Sequence, residues 1–391
     1  MKTSTDPDKR ITADVMISHP LVVPPSASAY QFYAFPLAII ETRPESQDWV
    51  LSNFIQTCFN PDHMAPVPFC HFLYDYRDNP FLTSHSMTWD WVRELVTSPT
   101  GFIAEQVQSG YYVYLSADEF YVPRRPNYQR MHFVHDMLVV GSTPDGSQFE
   151  VAGFDERGVF GRTLIDGPAL KAAITHGWEL DGGSRDLVLY HLKGNATYDL
   201  DLELIRQTLT EFAQGLNTSE HYRMTMEPWI RVYGIGGYDE IAGYFRAYAD
   251  GRAPQDPRHL QVLREHVELM HQRGIRLARL APELAWDGIL NDLTALESGV
   301  NATRSRSLLA FARSPKWGHR IADELTTLRS RELDIVVRMI EHLDVMCADL
   351  QPRVVRMPEH DPRTLVLPPS PWSTTPAGTP VLNPAAAAEQ H

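Results

Sequence analysis

The chain has 391 residues, of which 49 are Asp or Glu and 35 are Lys or Arg, so its formal net charge is −14. This acidic balance argues against nonspecific binding to nucleic acid or to an anionic membrane surface. No apolar run approaches the roughly 18 residues of a membrane-spanning helix, and the polar N-terminus lacks the apolar core of a signal peptide. Three cysteines are too few for a disulfide scaffold. Together these features predict a cytoplasmic protein.

Composition divides the chain into a folded body and two ends of different character. Residues 1–14 are charged and polar, and we expect them to be disordered. Residues 353–391 are rich in proline and alanine, cannot bury a core and are also expected to be disordered. Within the body the pattern changes near residue 200, which predicts an α+β domain over 15–199 and an all-α helical domain over 200–352.

In the N-terminal half, helix patterns and strand patterns alternate. Helices are predicted at 34–40, 47–57 and 89–96. Aromatic and β-branched runs predict strands at 110–115, 135–141, 148–154 and 186–192. The second and third of these strands are joined by Pro144-Asp145-Gly146-Ser147, a typical turn sequence, so 134–154 is expected to form a hairpin.

The C-terminal half shows apolar residues at helical spacing. This pattern predicts helices that include 202–212, 260–270 and 325–343. The glycine-rich stretch 234–237 is neither a GxGxxG motif nor followed by Gly-Lys-Ser/Thr, so it is interpreted as a turn between helices rather than a phosphate-binding loop.

The predicted hairpin carries the most informative candidate chemistry. His135 opens one strand and Asp155 follows the end of the returning strand, and these two ends lie at the same edge of a hairpin. A carboxylate beside an imidazole fixes its tautomer and stabilises the imidazolium, as a general base requires. We therefore expect His135 and Asp155 to meet, although a structural histidine and a turn-forming aspartate are the plainer alternatives. Asp136 points to the opposite face of the strand and is a poorer partner.

The spacing from His135 to Gly141, with an Asp after the next strand, resembles the papain-like C39 peptidase superfamily. More closely, the chain resembles the proteins related to butirosin biosynthesis protein H over roughly residues 20–350. The residues that carry this resemblance are the stretch 109–123 leading into 132–136, and Tyr233-Gly234, Tyr238, Asp256-Pro257-Arg258 and Glu265-His266.

The resemblance implies a papain-like domain with an antiparallel sheet, followed by a helical region. It also implies acyl transfer, or a related amide or thioester reaction, in the biosynthesis of antibiotics and nonribosomal peptides. The implied partner is an acyl or peptidyl carrier protein, and the implied substrate is a small-molecule amine or a peptide.

The chain departs from that family at the nucleophile. Such enzymes take a Cys from the N-terminus of the first helix, where the helix macrodipole favours the thiolate. Here the aligned position is about Gln31, which we expect to be an oxyanion or substrate ligand. Ser28, or Ser26, is the candidate nucleophile, since a Ser–His pair can attack acyl groups. Cys58 and Cys70 are downstream alternatives.

Three functional hypotheses therefore remain open from the sequence. The first is a covalent acyl-enzyme, and the second is noncovalent acid–base catalysis by His135 and Asp155. The third is a binding or accessory protein on a papain-like scaffold that lacks its nucleophile.

Candidate substrate-binding residues lie on and after the aromatic strand. Tyr112 and Tyr114 are expected to line a substrate groove, with burial in the core as the alternative. Asp118 and Glu119 are candidates for binding an amine, with plain surface charges as the alternative. Close by, the arginines at 124, 125 and 130 form a basic stretch that would suit an acidic carrier protein.

The sequence predicts no cofactor and no metal site. His132 and His135 are three residues apart, so in a strand their side chains point to opposite faces. The chain also contains neither HExxH nor paired CxxC motifs.

Overall fold

An antiparallel sheet surrounded by helices confirms the predicted α+β class. The computed structural model describes residues 15–181 and 186–348, together with the backbone of one short hairpin near the C-terminus. The strands up to residue 348 are β1 (Ile17–Ser18), β2 (Thr57–Phe59), β3 (Phe69–His71), β4 (Leu82–Thr88), β5 (Tyr112–Asp118), β6 (Val134–Ser142), β7 (Gln148–Phe154), β8 (Phe160–Asp166), β9 (Asp186–Leu192) and β10 (Val232–Tyr233).

The main sheet runs in the order β4-β9-β5-β6-β7-β8, with β1 also paired to β6, and β10, β2 and β3 form a small second sheet. The hairpin of β6 and β7 is confirmed, with Leu138 opposite Ala152 and Ser142 opposite Phe149. On its other side β6 pairs with β5, which places His135 opposite Ala117. The start of β6 is therefore flanked by the end of β5 as well as by the end of β7.

The helices are α1 (Gln31–Ile40), α2 (Gln47–Asn53), α3 (Trp89–Leu95), α4 (Pro99–Gln108), α5 (Gly167–Asp181), α6 (Leu202–Gln214), α7 (Gly237–Ala249), α8 (Arg258–Leu280), α9 (Trp286–Arg313) and α10 (Trp317–Ala348). Local chemistry sets several of their ends. The Ser98 hydroxyl accepts from the N–H of Gly101 at the start of α4, where Pro99 suits the first position. Asp201 caps α6, and Gly215 ends it in a left-handed conformation. Among the residues that the structure describes, no helix is long and apolar enough to cross a membrane.

The main sheet is buried on both faces. Val139 and Val151 of the hairpin belong to a cluster with buried residues of α4 and α5. Leu138 and Ala152, on the other face, share a cluster with the buried residues of α1. That second cluster continues through α8 and α10, so the predicted α+β and helical parts share one core.

Several elements differ from the sequence-based prediction. The helix predicted at 47–57 ends at Asn53, and Thr57 already belongs to β2. The strand predicted at 110–115 extends instead to Asp118, which brings two acidic residues to its end. The sequence did not predict α4, α5 or β8.

The two predicted disordered ends lie largely outside the described residues. Residues 1–14 are not described, and nor is most of 353–391. Within the C-terminal stretch, β11 (Trp372–Thr374) pairs antiparallel with β12 (Pro380–Leu382), where the sequence predicted no strands.

Candidate active site

His135 lies near the start of β6 and bonds to a carboxylate of the neighbouring strand end. Its side chain is 39% exposed, and its Nδ1 is 2.8 Å from Oε1 of Glu119. A carboxylate only accepts hydrogen bonds, so Nδ1 carries a proton, and in the neutral imidazole Nε2 has the lone pair. The imidazole therefore has the tautomer that a general base needs.

Glu119 is held in place by its own partners. It follows β5 directly and is buried. Asn127 Nδ2 donates to its second oxygen, Oε2, at 2.7 Å, and its backbone N–H donates to the carbonyl of Phe133 at 2.9 Å. With both carboxylate oxygens engaged, Glu119 is positioned to orient His135.

Gln31 is the first residue of α1 and contacts the same imidazole. Its Nε2 lies 3.0 Å from Nδ1 and 3.3 Å from Nε2 of His135. Since Nδ1 donates to Glu119, the Gln31 amide donates to Nε2. The buried amide oxygen of Gln31 has no hydrogen-bond partner within the described parts of the chain. The N-terminus of α1 therefore faces His135 through the side chain of Gln31.

A buried arginine, Arg125, lies beside Gly153, as does the Gln31 amide oxygen. Arg125 is 4% exposed and donates to the carbonyls of Phe154 at 2.6 Å and Ala152 at 2.8 Å. Burial lowers the pKa of Arg125 to about 10, partly opposed by Glu119 and Asp155. Gly153 has no side chain, which leaves room for both the Arg125 guanidinium and the Gln31 amide oxygen. Because Arg125 is buried, it cannot belong to the predicted basic stretch that would bind a carrier protein.

The predicted pairing of His135 with Asp155 is wrong. Oδ1 of Asp155 accepts from the N–H groups of Arg157 and Val159, both at 2.9 Å, and Oδ2 accepts from Arg124 at 3.1 Å. The backbone N–H of Val159 is the main cause of a lowered pKa for Asp155. The carboxylate closes its own turn, as aspartates commonly do, and is not bonded to His135.

The predicted nucleophiles are also not brought to His135. The Ser28 hydroxyl donates to Glu265 Oε1 at 3.1 Å, and the Ser28 N–H donates to the same oxygen at 2.9 Å. Cys58 and Cys70 are buried on β2 and β3, with their sulfurs 3.7 Å apart. Across residues 15–181 and 186–348, His135 has Gln31 and Glu119 as hydrogen-bond partners, and no Ser, Thr or Cys.

The two predicted groove tyrosines pack inward. Tyr112 is 3% exposed and its hydroxyl donates to the carbonyl of Pro20 at 2.6 Å, so it does not line a groove. Tyr114 is partly buried and lies against Phe35, with ring centroids 5.8 Å apart. Neither is brought together with His135.

Asp118 and Glu119, predicted together as amine ligands, have separate partners. Glu119 bonds to His135, whereas Oδ2 of Asp118 lies 2.6 Å from Nδ1 of His132 and 3.0 Å from Nδ1 of His176. Burial would raise the pKa of Asp118, but hydrogen bonds from His132 and from two backbone N–H groups outweigh it and lower the pKa. Both carboxylates are buried, so neither is a plain surface charge.

Comparison with known proteins does not assign this site. No protein-family model matches the chain, and a search of curated proteins found no significant match.

Three residues of this region, Asn127, Gly153 and His176, were missed by sequence reasoning, and Arg125 was predicted to belong to a basic surface stretch. None of the four carries a local motif, and His176 comes from α5, a helix that was not predicted. The contact between Glu119 and His135 could have been predicted, because the end of β5 and the start of β6 lie at one edge of an antiparallel pair.

Proposed function

We propose that the protein catalyses acyl transfer, or a related amide or thioester reaction, without a covalent acyl-enzyme. The observation that carries the proposal is the 2.8 Å hydrogen bond from His135 to Glu119, on an imidazole that remains partly exposed. Oriented by a buried carboxylate, His135 is the general base and then the general acid. The substrate class and the papain-like assignment come from the sequence resemblance.

The proposed step is a direct displacement. An amine nitrogen attacks the carbonyl carbon of a carrier-bound thioester, and His135 Nε2 takes the proton that the amine loses as the C–N bond forms. The Gln31 amide, which donates to Nε2 in the free protein, turns to donate to the oxyanion. The C–S bond then breaks, the departing sulfur takes the proton from Nε2, and the imidazole returns to its neutral form.

A noncovalent route is favoured over an acyl-enzyme because of where the nucleophilic side chains lie. The position at the start of α1 is held by a glutamine, and the Ser28 hydroxyl is engaged by a buried glutamate. The buried Arg125 places positive charge behind Gln31, on the side where its amide oxygen is directed. This charge suits a site in which an oxyanion forms.

The experiment is a single-turnover assay with an acyl thioester and a panel of amines. We expect His135→Ala to lower the rate by about 10²- to 10⁴-fold, the usual contribution of a general base. The matched control is His85→Ala, a histidine exposed on β4, which should keep the wild-type rate. Ser28→Ala should also retain activity, and intact-mass spectrometry should detect no acyl adduct. Full turnover by His135→Ala contradicts the proposal.

The second candidate is a binding protein that holds a carrier domain or an acyl chain. It is favoured by one observation, that the Gln31 amide occupies the lone pair of His135 Nε2 and so blocks the base in the free protein. The same assay distinguishes the two. Stable binding of the acyl carrier with no turnover in the wild type, and equal binding by His135→Ala, would establish the binding role.

A further inference from the structure

A second cluster of ionisable side chains lies apart from the His135–Glu119 pair. Asp118 ends β5, His132 precedes β6 and His176 lies on α5, and one potential ligand atom from each falls within 4.8 Å of the others. We propose that Asp118, His132 and His176 bind a divalent transition-metal cation of the Zn²⁺ type. This inference does not depend on the proposed acyl-transfer function.

The donor set suits such a cation. Two imidazoles and one carboxylate are ligands for zinc and for related first-row metals, whereas Mg²⁺ and Ca²⁺ prefer oxygen alone. Three protein ligands leave a coordination position for water or a substrate. Because the His132 side chain is 42% exposed, a cation can enter from solvent.

The contacts around Asp118 Oδ2 also point to a cation. His176 Nδ1 is buried and lies 3.0 Å from this oxygen, yet it has no hydrogen-bond partner among the residues the structure describes. The rings of His132 and His176 stack with centroids 4.4 Å apart. The Nδ1 atoms of both rings lie within 3.0 Å of the same oxygen, Oδ2 of Asp118. An imidazole lone pair and a carboxylate oxygen repel each other unless a proton or a cation lies between them.

The distances from Asp118 Oδ2 to the two imidazoles require only a small adjustment, and the three ligand atoms all lie within 4.8 Å of one another. Zinc bonds of about 2.0–2.2 Å at tetrahedral angles hold ligand atoms about 3.3–3.5 Å apart. Nδ1 of His132 is 2.6 Å from Oδ2 and Nδ1 of His176 is 3.0 Å from it, so each contact opens by less than about 1 Å. Since His132 is partly exposed, its ring has space to move outward.

Surrounding groups orient two of the three ligands, Asp118 and His132. Oδ1 of Asp118 accepts from the N–H groups of Phe120 at 3.1 Å and Phe133 at 3.0 Å, which leaves Oδ2 for the cation. The His132 ring stacks on Phe120 at 4.3 Å. Such outer contacts orient the ligands of known metal sites.

Gly177 allows the helix that carries His176 to approach β5. A Cβ atom at this position would lie 2.8 Å from the backbone nitrogen of Asp118 and 3.1 Å from the carbonyl carbon of Ala117. Neither is the end of a flexible side chain, so any other residue would push α5 away. The close approach brings His176 within reach of Asp118.

The test is titration of the full-length, untagged protein with Co²⁺ after treatment with a chelator, followed by visible absorption. We expect one equivalent of Co²⁺ to give the intense bands of a low-symmetry site, and Zn²⁺ to displace it. His132→Gln and His176→Gln should each weaken Co²⁺ binding by at least about tenfold. His85→Gln, the matched control, should bind as the wild type does.

Two results would overturn the proposal. One is a wild-type protein that binds no Co²⁺ at millimolar concentration, in which case a proton alone bridges the cluster. The other is undiminished binding by His132→Gln. Circular dichroism checks the fold of each variant, and since His132 lies at the surface, its variant decides the question even if His176→Gln unfolds.

Discussion

Replacing Gly153 by alanine should displace Arg125 and Gln31 in the candidate active site. Gly153 has φ +151°, a conformation that is strained for any residue with a side chain. A Cβ here would overlap both terminal nitrogens of Arg125 and the amide oxygen of Gln31. Arg125 is buried and bonded to two carbonyls of β7, so it cannot move aside without breaking those bonds.

The expected magnitude has two parts. The backbone conformation costs about 1–3 kcal/mol. Overpacking of a filled, hydrogen-bonded space costs about 1–3 kcal/mol more, so Gly153→Ala should lower the free energy of unfolding by roughly 2–6 kcal/mol. Because Gln31 must also move, we expect a loss of acyl-transfer activity under conditions in which the variant is still folded.

Urea denaturation followed by tryptophan fluorescence measures this change, with two glycines as controls. Gly158 has φ +71° and open space around it, so Gly158→Ala should cost only backbone strain, about 1–2 kcal/mol. Gly161 also faces open space, without a left-handed φ, so Gly161→Ala should be nearly neutral. If Gly153→Ala is no less stable than Gly158→Ala, the packing of Arg125 and Gln31 against Gly153 is refuted.

Four further predictions concern other parts of the chain. Gln31→Cys should be alkylated at neutral pH faster than the native cysteines, since a helix N-terminus and His135 favour a thiolate. If adding His135→Ala to Gln31→Cys leaves the alkylation rate of the new cysteine unchanged, this prediction is wrong. Burial is the main reason that the pKa of Glu41 is raised to about 7, so its contribution to the free energy of unfolding is fully present below about pH 4.5 and is lost as the pH rises through 7. The free energy of unfolding, measured by urea denaturation, should therefore fall between pH 4 and pH 8. Glu41→Gln should make this fall smaller by about 1–3 kcal/mol. Arg273 is fully buried and donates to two backbone carbonyls, so Arg273→Met should cost about 2–4 kcal/mol by urea denaturation, and an unchanged midpoint would contradict it. Thiol titration should detect one fast group in the native protein, the partly exposed Cys347, and three after denaturation.

The elements that the sequence predicted well are those whose signals are local. The hairpin of β6 and β7 is an apolar run, a Pro-Asp-Gly turn and a second apolar run, and its pairing is the predicted one. By contrast, β8 leaves Leu164 exposed, so its pattern resembles a loop. The stretch 47–57 continues apolar beyond Asn53, because Phe54 and Ile55 are buried by tertiary packing rather than by a helix face.

At the site, the sequence located His135 but assigned it the wrong carboxylate. The hairpin pattern predicts a carboxylate from the end of β7, although β6 has a second neighbour in β5 whose end lies at the same edge. Asp155 at the end of β7 is instead engaged by Arg124 and by the N–H groups of Arg157 and Val159. Beside it, Arg125 donates to the carbonyls of Ala152, the last β7 residue paired with β6, and of Phe154 beyond it. A buried arginine at a strand end has no signature in the local sequence.

The order of Asp118 and Glu119 along the chain explains how one strand end serves two histidines. Asp118 is the last residue of β5, and Glu119 begins a short turn of 3₁₀ helix, so the two side chains leave the backbone in different directions. One meets His132 and His176, and the other meets His135. Exchanging the two acids would change both side-chain length and direction at each position, so each histidine would lose its contact with a carboxylate. A pair of acids at a strand end therefore contacts two separate sets of histidines here.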